Sequence, residues 1–232
     1  MIVAEDDEDS HMESFIQAAM KKYSFPIFHV RQPDKGFRKN RIYNQAIKIA
    51  RYDFLVFIDG DCILHPKFLH VYASKARENI CLFGRRVRLD QKSSDALIDT
   101  GDFKYLSFFR LLLNGSKRIE DGLYLPFYKQ VCERNILGCN FCVSKQNMLD
   151  INGFDEDFVT PLYGEDTDVK RRLKLIGVRF ESTRFKAIQY HLYHDIGDRT
   201  DIWRISGDLF KKKSEEGLTF AKNGLSKEFS QK

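Results

Sequence analysis

Short apolar runs alternate with helix-like segments through the first 60 residues, and this alternation constrains the fold more than any other feature. Strand-like runs at 1–4, 27–30 and 53–58 are separated by segments 11–22 and 41–51, where apolar residues recur with helical spacing. This order is typical of parallel strands with helices on the faces of the sheet. We therefore predict an α/β fold with a mixed, mainly parallel central sheet flanked by helices.

Two carboxylates close the third strand-like run, in the order Asp59, Gly60 and Asp61. Residues i and i+2 of an extended backbone point to the same face, and a glycine between them leaves room for a ligand. Two hard oxygen ligands suit Mg²⁺ or Mn²⁺, and such a cation in turn holds a diphosphate. The same tripeptide is also an ordinary turn after a strand, so both interpretations stand on this pattern alone.

The composition describes a globular protein. The 232 residues, 43% hydrophobic and 31% charged, suffice for one domain with a sizeable core. A net charge of +5 does not indicate nucleic-acid binding. Basic residues cluster at 38–41, 85–88, 170–174 and 211–213, and such clusters can bind phosphates, contact an anionic membrane or only keep the protein soluble. Five cysteines without framework spacing favour a cytoplasmic location, and no apolar run in this sequence is long enough to span a membrane.

Acidic residues gather again where a helix is predicted to begin, at Glu165, Asp166 and Asp168. Acidic side chains complement the dipole at a helix N-terminus, which explains one or two of them. Crowded like charges also raise the pKa of a carboxyl group, and a raised pKa suits a general base. Farther along, His191 and His194 follow a strand-like run, and neutral imidazole suits Mn²⁺ beside carboxylates.

Four motifs, taken together in their order and spacing, resemble the family 2 glycosyltransferases of the GT-A fold. The similarity extends to a bacterial branch that also resembles galactosyltransferase C-terminal regions, since segments 36–47 and 137–140 match that branch. The resemblance covers about residues 1–195. The motifs are Asp59-Gly60-Asp61, Gly153-Phe154-Asp155-Glu156, Gly164-Glu165-Asp166-Thr167-Asp168 and His191-Leu192-Tyr193-His194.

For the donor, the resemblance implies a UDP-sugar whose diphosphate is held by Mn²⁺ or Mg²⁺. Asp61 would contact the metal, and Asp59 would contact the metal or the ribose. The implied nucleotide- and metal-binding residues are Asp6 at the uracil base, Arg38 or Arg41 at the nucleotide or its diphosphate, Asp59, Asp61, and His191 or His194 completing the metal site.

For the acceptor, the resemblance implies that Asp166 is the catalytic base and that Glu165 helps to bind the acceptor. The reaction would be a single inverting displacement of a hexosyl or N-acetylhexosaminyl group, in which an acceptor oxygen attacks the anomeric carbon. The acceptor would be a saccharide or a lipid-linked saccharide in surface polysaccharide synthesis. The aromatic segment 103–128 would stack on its sugars, and the alternative for that segment is a subdomain core.

The chain is predicted to divide into four segments. Residues 1–90 would bind the nucleotide-sugar, 91–135 would form a helical acceptor subdomain, 136–195 would form the acceptor and catalytic half, and 196–232 would be a helical tail. Within the tail, the apolar and basic run 203–213 is interpreted as a packed helix, with peripheral contact at the inner face of the cell membrane as the alternative.

Two rival functions remain open at this point. A nucleotidyltransferase also uses paired carboxylates and Mg²⁺, although it would more naturally carry an N-terminal glycine-rich loop with a basic residue. A non-catalytic, truncated binding protein is the second rival, because the family's usual first strand does not precede Met1 in this sequence. That strand helps to form the nucleotide pocket, so we expect either a longer chain or a partner to supply it.

Overall fold

The computed structural model describes residues 1–7, 11–128, 134–161, 164–195 and 200–226. In chain order the elements are β1 (Ile2–Asp6), α1 (His11–Lys22), β2 (Phe28–Gln32), α2 (Lys39–Ile49), β3 (Phe54–Phe57), β4 (Cys62–Leu64), α3 (Phe68–Lys75), β5 (Ile80–Phe83), β6 (Arg85–Arg88), α4 (Gln91–Thr100), a 3₁₀ helix (Phe103–Leu106), α5 (Phe108–Leu113), a second 3₁₀ helix (Ile119–Gly122), β7 (Phe141–Ser144), α6 (Lys145–Asp150), α7 (Glu165–Leu175), β8 (Arg179–Ser182), β9 (Ile188–His191) and α8 (Thr200–Glu216).

The predicted alternation of strands and helices is present, and the differences are shorter elements and one additional strand. The predicted helix at 65–79 is shorter, since α3 begins only at Phe68, after a turn in which the Phe68 N–H donates to the carbonyl of His65 at 2.8 Å. The predicted strand at 136–144 reduces to β7, because a turn closed by Asn140 and Leu137 precedes it. Strand β4 was not predicted, and it proves central to the site.

Residue contacts divide the chain into two compact units. Unit 1 contains Met1–Leu55, Lys145–Gly177 and Thr200–Lys232, and unit 2 contains Val56–Ser144 and Val178–Arg199. These bounds differ from those of the four functional segments, which stay a prediction.

In unit 1, strands β1 and β2 form a two-stranded parallel sheet with Ile2 opposite Phe28 and Asp6 opposite Gln32. Helix α2 packs against both strands. Its buried side is built by residues at helical spacing, including Ile42 and Ile47, each 2% exposed. Asp6 therefore lies at the carboxyl end of a parallel strand, the edge where α/β sheets bind ligands.

Two further sheets combine parallel and antiparallel neighbours. One has the order β3-β7-β5-β8, with β5 parallel to β8 and antiparallel to β7. The other has the order β4-β9-β6, with β9 antiparallel to β4 and parallel to β6. The prediction of a mixed α/β fold is confirmed, although the strands of the first 60 residues belong to more than one sheet.

Within unit 1, Asn44 of α2 ties that helix to the segment after α6. Its amide group donates to the carbonyl of Phe154 at 2.9 Å, and its carbonyl oxygen accepts from the N–H of Phe154 at 2.9 Å. Gly153 has a φ of +70°, and a Cβ there would stand 2.3 Å from the Asn44 oxygen. A glycine at position 153 is therefore required for α2 to approach this segment closely. The motif that begins with Gly153 thus has a structural role.

A buried ion pair holds helix α7 against the same segment. Arg172 donates from Nε to the Asp168 carboxylate at 2.7 Å, and both side chains are 1% exposed. The Nη1 atom of Arg172 also donates to the carbonyls of Ile151 at 2.6 Å and Gly153 at 2.8 Å. Of the acidic residues that begin α7, Asp168 is thus bound within the fold, while the helix it anchors carries Glu165 and Asp166.

Replacing Arg172 is expected to destabilise the protein strongly. The Arg172→Met variant leaves the buried Asp168 carboxylate with Arg171 alone, and breaking a buried ion pair typically lowers the free energy of unfolding by about 3 kcal/mol or more. Chemical denaturation followed by circular dichroism measures the change. The exposed Arg179 gives the matched control, Arg179→Met, and equal destabilisation of both variants would contradict the assignment.

Candidate metal and nucleotide site

Asp61, His191 and His194 converge in unit 2. The Nε2 atom of His191 lies 3.0 Å from Asp61 Oδ2, and Nε2 of His194 lies 3.6 Å from the same oxygen. The two imidazole rings are 5.1 Å apart, and one ligand atom from each of the three residues lies within 4.8 Å of the others. The structure therefore brings together three of the four side chains predicted to hold a metal.

Strand pairing explains this convergence. Asp61 directly precedes β4, which pairs antiparallel with β9 so that Cys62 lies opposite His191. The N–H of Leu192 donates to the Asp61 carbonyl at 2.9 Å, which extends the pairing to the turn itself. The ladder fixes the backbones that carry Asp61 and His191, and His194 follows three residues later. Cys62 and His191 are 129 positions apart, and no local sequence pattern indicates their pairing.

The surroundings keep Asp61 ionised. Burial raises the pKa of this carboxyl group, but the hydrogen bond and charge of His191, together with the charge of His194, outweigh that effect and lower it. The Asp61 side chain is 36% exposed, so a ligand can reach it. An anionic carboxylate and two imidazole nitrogens close together are a donor set that suits Mn²⁺.

Asp59 is not among the three clustered residues, and its carboxylate lies near the guanidinium group of Arg86. Its Oδ2 atom is 3.9 Å from Nη1 of Arg86, a residue of β6 whose side chain is 28% exposed. Arg86 also donates to the thiol sulfur of Cys139 at 3.1 Å. The basic run 85–88 was noted in the sequence only as a cluster, and its pairing with Asp59 requires knowledge of the sheet. Asp59 as a metal or ribose ligand stays a prediction.

A buried amide and two thiols lie next to the Asp59–Asp61 turn. Gln189 of β9 is fully buried, and its Nε2 atom lies 3.4 Å from the Cys62 sulfur and 3.2 Å from the Cys139 sulfur. Contact with Cys139, followed by burial, raises the pKa of the Cys62 thiol far above its usual range. A raised pKa keeps the Cys62 thiol protonated, so this side chain adds no negative charge beside the carboxylates of the turn.

Asp6 is the centre of a hydrogen-bonded network in unit 1. Its Oδ1 atom accepts from the Gln32 side chain at 2.8 Å, and its Oδ2 atom accepts from the N–H of Arg38 at 3.0 Å. Gln32 also donates to the Arg38 carbonyl at 3.1 Å. A carboxylate oxygen has two acceptor sites, so each oxygen of Asp6 retains capacity for a further donor.

The structure distinguishes between Arg38 and Arg41. The Arg38 side chain is 18% exposed, lies 4.0 Å from the Asp6 carboxylate and donates to the carbonyl of Pro33. Its Nε atom is buried and has no hydrogen-bond partner among the described residues. Arg41 lies on α2 with an exposed side chain. Of the two, Arg38 is the one that contacts the Asp6 network.

Glu165 and Asp166 occupy the first turn of α7, as predicted, and both are half-buried. The helix follows Gly164, whose φ of +107° suits a glycine and whose added Cβ would meet the Phe158 ring at 2.4 Å. Thr167 donates from Oγ1 to Asp166 at 3.2 Å. These two carboxylates belong to unit 1, and their catalytic roles stay a prediction.

The other acidic motif is bound within the fold. Asp155 is 3% exposed, and burial raises its pKa although Lys213 of α8 donates to it at 2.8 Å. Lys213 also donates to Asp157. Helix α8 makes a further contact in which the hydroxyls of Ser206 and Thr160 are 2.5 Å apart. The run 203–213 is thus packed through Ser206 and Lys213. Trp203 of the same run is 51% exposed.

The aromatic segment 103–128 is part buried and part exposed, and stacking of its rings on acceptor sugars stays a prediction. Leu111 is 2% exposed and packs in a cluster with Val87, Leu97 and Tyr190. Many of the large side chains are exposed instead, among them Phe103, Phe109, Leu112, Leu113 and Phe127.

Among the described residues, no helix is long and apolar enough to cross a membrane.

Comparison with known families gives a consistent match along most of the chain. The model for glycosyl transferase family 2 matches residues 1–125, and a model described as the N-terminal domain of galactosyltransferase matches residues 126–195. Among curated proteins, hyaluronan synthase of Pasteurella multocida is 28% identical over 97 residues, which cover 41% of this chain and 10% of that protein. Chondroitin synthase of Escherichia coli is 24% identical over 217 residues, covering 82% of this chain and 30% of that protein. The chain thus spans less than a third of the length of these relatives.

Solved structures share the fold at low sequence identity. A structure of GalNAc-T7 with UDP, GalNAc and Mn²⁺ has a TM-score of 0.55 at 13% identity and covers 98% of this chain and 46% of that one. A structure of S. aureus TarS with UDP has a TM-score of 0.55 at 14% identity and covers 88% of this chain and 53% of that one. At these identities the likeness shows the fold, and the predicted GT-A type is confirmed.

Proposed function

The chain belongs to glycosyl transferase family 2, and we propose that it transfers a hexosyl or N-acetylhexosaminyl group from a UDP-sugar to a saccharide acceptor with inversion. The observation that carries this proposal is the cluster that Asp61, the last residue of the predicted metal motif, forms with His191 and His194. The relatives named as hyaluronan and chondroitin synthases support a role in building a surface polysaccharide, on a saccharide or a lipid-linked acceptor.

On the donor side, we assign the cation to Asp61, His191 and His194, with Asp59 at the cation or the ribose. The GalNAc-T7 structure contains UDP and Mn²⁺, which favours Mn²⁺ over Mg²⁺ and agrees with the imidazole ligands. A divalent cation held there would neutralise the charge of the departing nucleoside diphosphate. Arg86 adds a fixed positive charge beside Asp59.

In unit 1, we assign nucleotide recognition to Asp6 and Arg38. The Asp6 carboxylate has acceptor sites for a base N–H, and Gln32 and the Arg38 backbone hold it in one orientation. The buried Nε of Arg38 is a donor that a bound phosphate or uracil oxygen would satisfy. Arg41 is exposed and remains the second choice.

On the acceptor side, we assign the general base to Asp166 and acceptor binding to Glu165. The acceptor hydroxyl gives its proton to the Asp166 carboxylate while the hydroxyl oxygen forms a bond to the anomeric carbon of the donor sugar. The bond between that carbon and the diphosphate breaks in the same step. The first turn of α7 places both carboxylates on a helix that the buried Arg172 holds in position. We further propose that the protein works in the cytoplasm, at the inner face of the cell membrane.

Ligand-induced stabilisation tests the donor site. UDP with Mn²⁺ at a hundredfold excess over Kd should raise the midpoint of thermal unfolding by roughly 5–10 °C for a chain of this size. UDP with a chelator and GDP with Mn²⁺ are the controls, and both should give smaller shifts. An unchanged midpoint with UDP and Mn²⁺ would refute the donor site in this chain and would favour a non-catalytic protein.

The products separate the proposal from the nucleotidyltransferase alternative. A glycosyltransferase releases UDP from a UDP-sugar, either by transfer to an oligosaccharide or by slow hydrolysis. A nucleotidyltransferase instead releases pyrophosphate from a nucleoside triphosphate and a sugar phosphate. Pyrophosphate release without UDP release would contradict the proposed function.

A further inference from the structure

Helix α5 in unit 2 carries an apolar surface that faces solvent. Leu111 is buried and holds the helix against the unit 2 core. Phe109, Leu112 and Leu113 are 76%, 54% and 84% exposed, and we refer to these three side chains as the apolar tip. They stand at positions i, i+3 and i+4, so they share the side of the helix opposite Leu111. Large apolar side chains exposed together on one side of a helix are a feature of interaction surfaces.

The charged residues of the segment that carries the apolar tip are all basic. Between Phe103 and Arg118 the sequence contains Lys104, Arg110, Lys117 and Arg118 and no acidic residue. Arg110, Lys117 and Arg118 are exposed, and none of them forms an ion pair within the described part of the chain. The acidic residues that flank the segment already have partners: Asp102 with Lys104, and Glu120 and Asp121 with Arg184. The segment that carries the apolar tip thus also carries three exposed basic side chains without an ion-pair partner among the described residues.

We propose that the apolar tip of α5 docks this protein on an anionic phospholipid bilayer. Phenylalanine and leucine side chains would enter the boundary between head groups and acyl chains, while Arg110, Lys117 and Arg118 would contact the anionic head groups. This surface is distinct from the run 203–213, where Lys213 is bound to Asp155 and Asp157.

Two other occupants fit this surface less well. A saccharide stacks on aromatic faces and takes hydrogen bonds from polar groups, and Leu112 and Leu113, two of the three side chains of the apolar tip, offer neither. A second copy of the chain meeting this surface symmetrically would bring Arg110 and its basic neighbours against the same charges of the partner. An anionic bilayer matches both the apolar tip and its charge. Docking requires no sugar transfer, so it is tested separately from the proposed function.

Vesicle co-sedimentation tests the apolar tip. The wild-type chain should pellet with vesicles of phosphatidylcholine and phosphatidylglycerol, and less with phosphatidylcholine alone. The triple variant Phe109→Ser, Leu112→Ser, Leu113→Ser should bind at least about tenfold more weakly, because three apolar side chains no longer enter the bilayer. The matched control Trp203→Ser, Ile205→Ser removes apolar side chains of α8 that are 51% and 53% exposed, and it should retain binding.

Charge variants test the electrostatic half of the proposal. Replacing Arg110, Lys117 and Arg118 by glutamine should weaken binding to anionic vesicles by about fivefold for each charge, and added salt should weaken binding of the wild-type chain. Binding to phosphatidylcholine alone should change little. All three residues are exposed, so circular dichroism should show an unchanged fold.

Tryptophan fluorescence measures insertion of the apolar tip into vesicles without removing its apolar side chains. The chain has one tryptophan, so Phe109→Trp in a Trp203→Phe background reports on the tip alone. Its emission should shift to shorter wavelength with anionic vesicles and stay unchanged with oligosaccharide. The proposal is overturned if the wild-type chain fails to pellet, if the triple serine variant binds as the wild type does, or if that variant loses only a self-associated state in sedimentation velocity.

Discussion

Asp61→Ala should abolish sugar transfer and nucleotide binding together. Removing this carboxylate takes away the atom that both imidazoles approach, at 3.0 and 3.6 Å, so the donor set for the cation is lost. Several kcal/mol of transition-state stabilisation should disappear, which corresponds to a loss of about 10³-fold in kcat/KM. The measurement is UDP release from a UDP-sugar across a Mn²⁺ titration, combined with calorimetric binding of UDP.

The control for Asp61→Ala is Asp95→Ala, which removes an exposed aspartate of α4 in the same unit. It should leave transfer and Mn²⁺ dependence unchanged. The metal assignment fails if Asp61→Ala retains the same Mn²⁺ dependence as the wild type at any level of residual activity. The transfer activity of His191→Ala should lie between those of Asp61→Ala and Asp95→Ala, because Asp61 and His194 remain as ligands.

Asp166→Asn should abolish transfer while leaving UDP affinity intact. The amide cannot accept the proton of an acceptor hydroxyl, and general-base catalysis contributes about 10³-fold. The substitution keeps the size of the side chain and a carbonyl oxygen that can accept from Thr167. Single-turnover transfer with saturating acceptor measures the rate, and calorimetry measures the affinity for UDP with Mn²⁺.

Asp208→Asn is the matched control for the base, since Asp208 is exposed on α8 of the same unit. It should transfer at the wild-type rate. Loss of UDP affinity in Asp166→Asn comparable to its loss of rate would place the residue on the donor side and contradict its role as the base. Restored transfer with a stronger external base such as azide would support that role.

The features that could be predicted from the sequence are those that a local pattern of residues determines. The alternation of strands and helices, the bounds of α1 and the start of α7 near Glu165 and Asp166 follow from local periodicity and glycine positions. The order of the four motifs was sufficient to indicate the family and the GT-A fold, which the comparisons confirm.

The sequence was least informative where distant residues meet. The pairing of β4 with β9 brings His191 to Asp61, and the position of β6 brings Arg86 within 3.9 Å of Asp59. Neither pairing has a local signal, because strand register depends on the whole sheet. Similarly, Asp168 resembles its neighbours Glu165 and Asp166 in sequence, and only its burial with Arg172 reveals a structural role.

An assay of sugar transfer tests the proposed activity itself. The intact chain, a labelled UDP-sugar from a panel of hexoses and N-acetylhexosamines, Mn²⁺ and glycosaminoglycan oligosaccharides are combined, and the label in the oligosaccharide is measured. We predict label in the oligosaccharide with at least one donor, one equivalent of UDP for each sugar transferred, and loss of both products on chelation. Tight binding of UDP and Mn²⁺ without transfer or UDP release for any donor would contradict a transferase and indicate a binding protein.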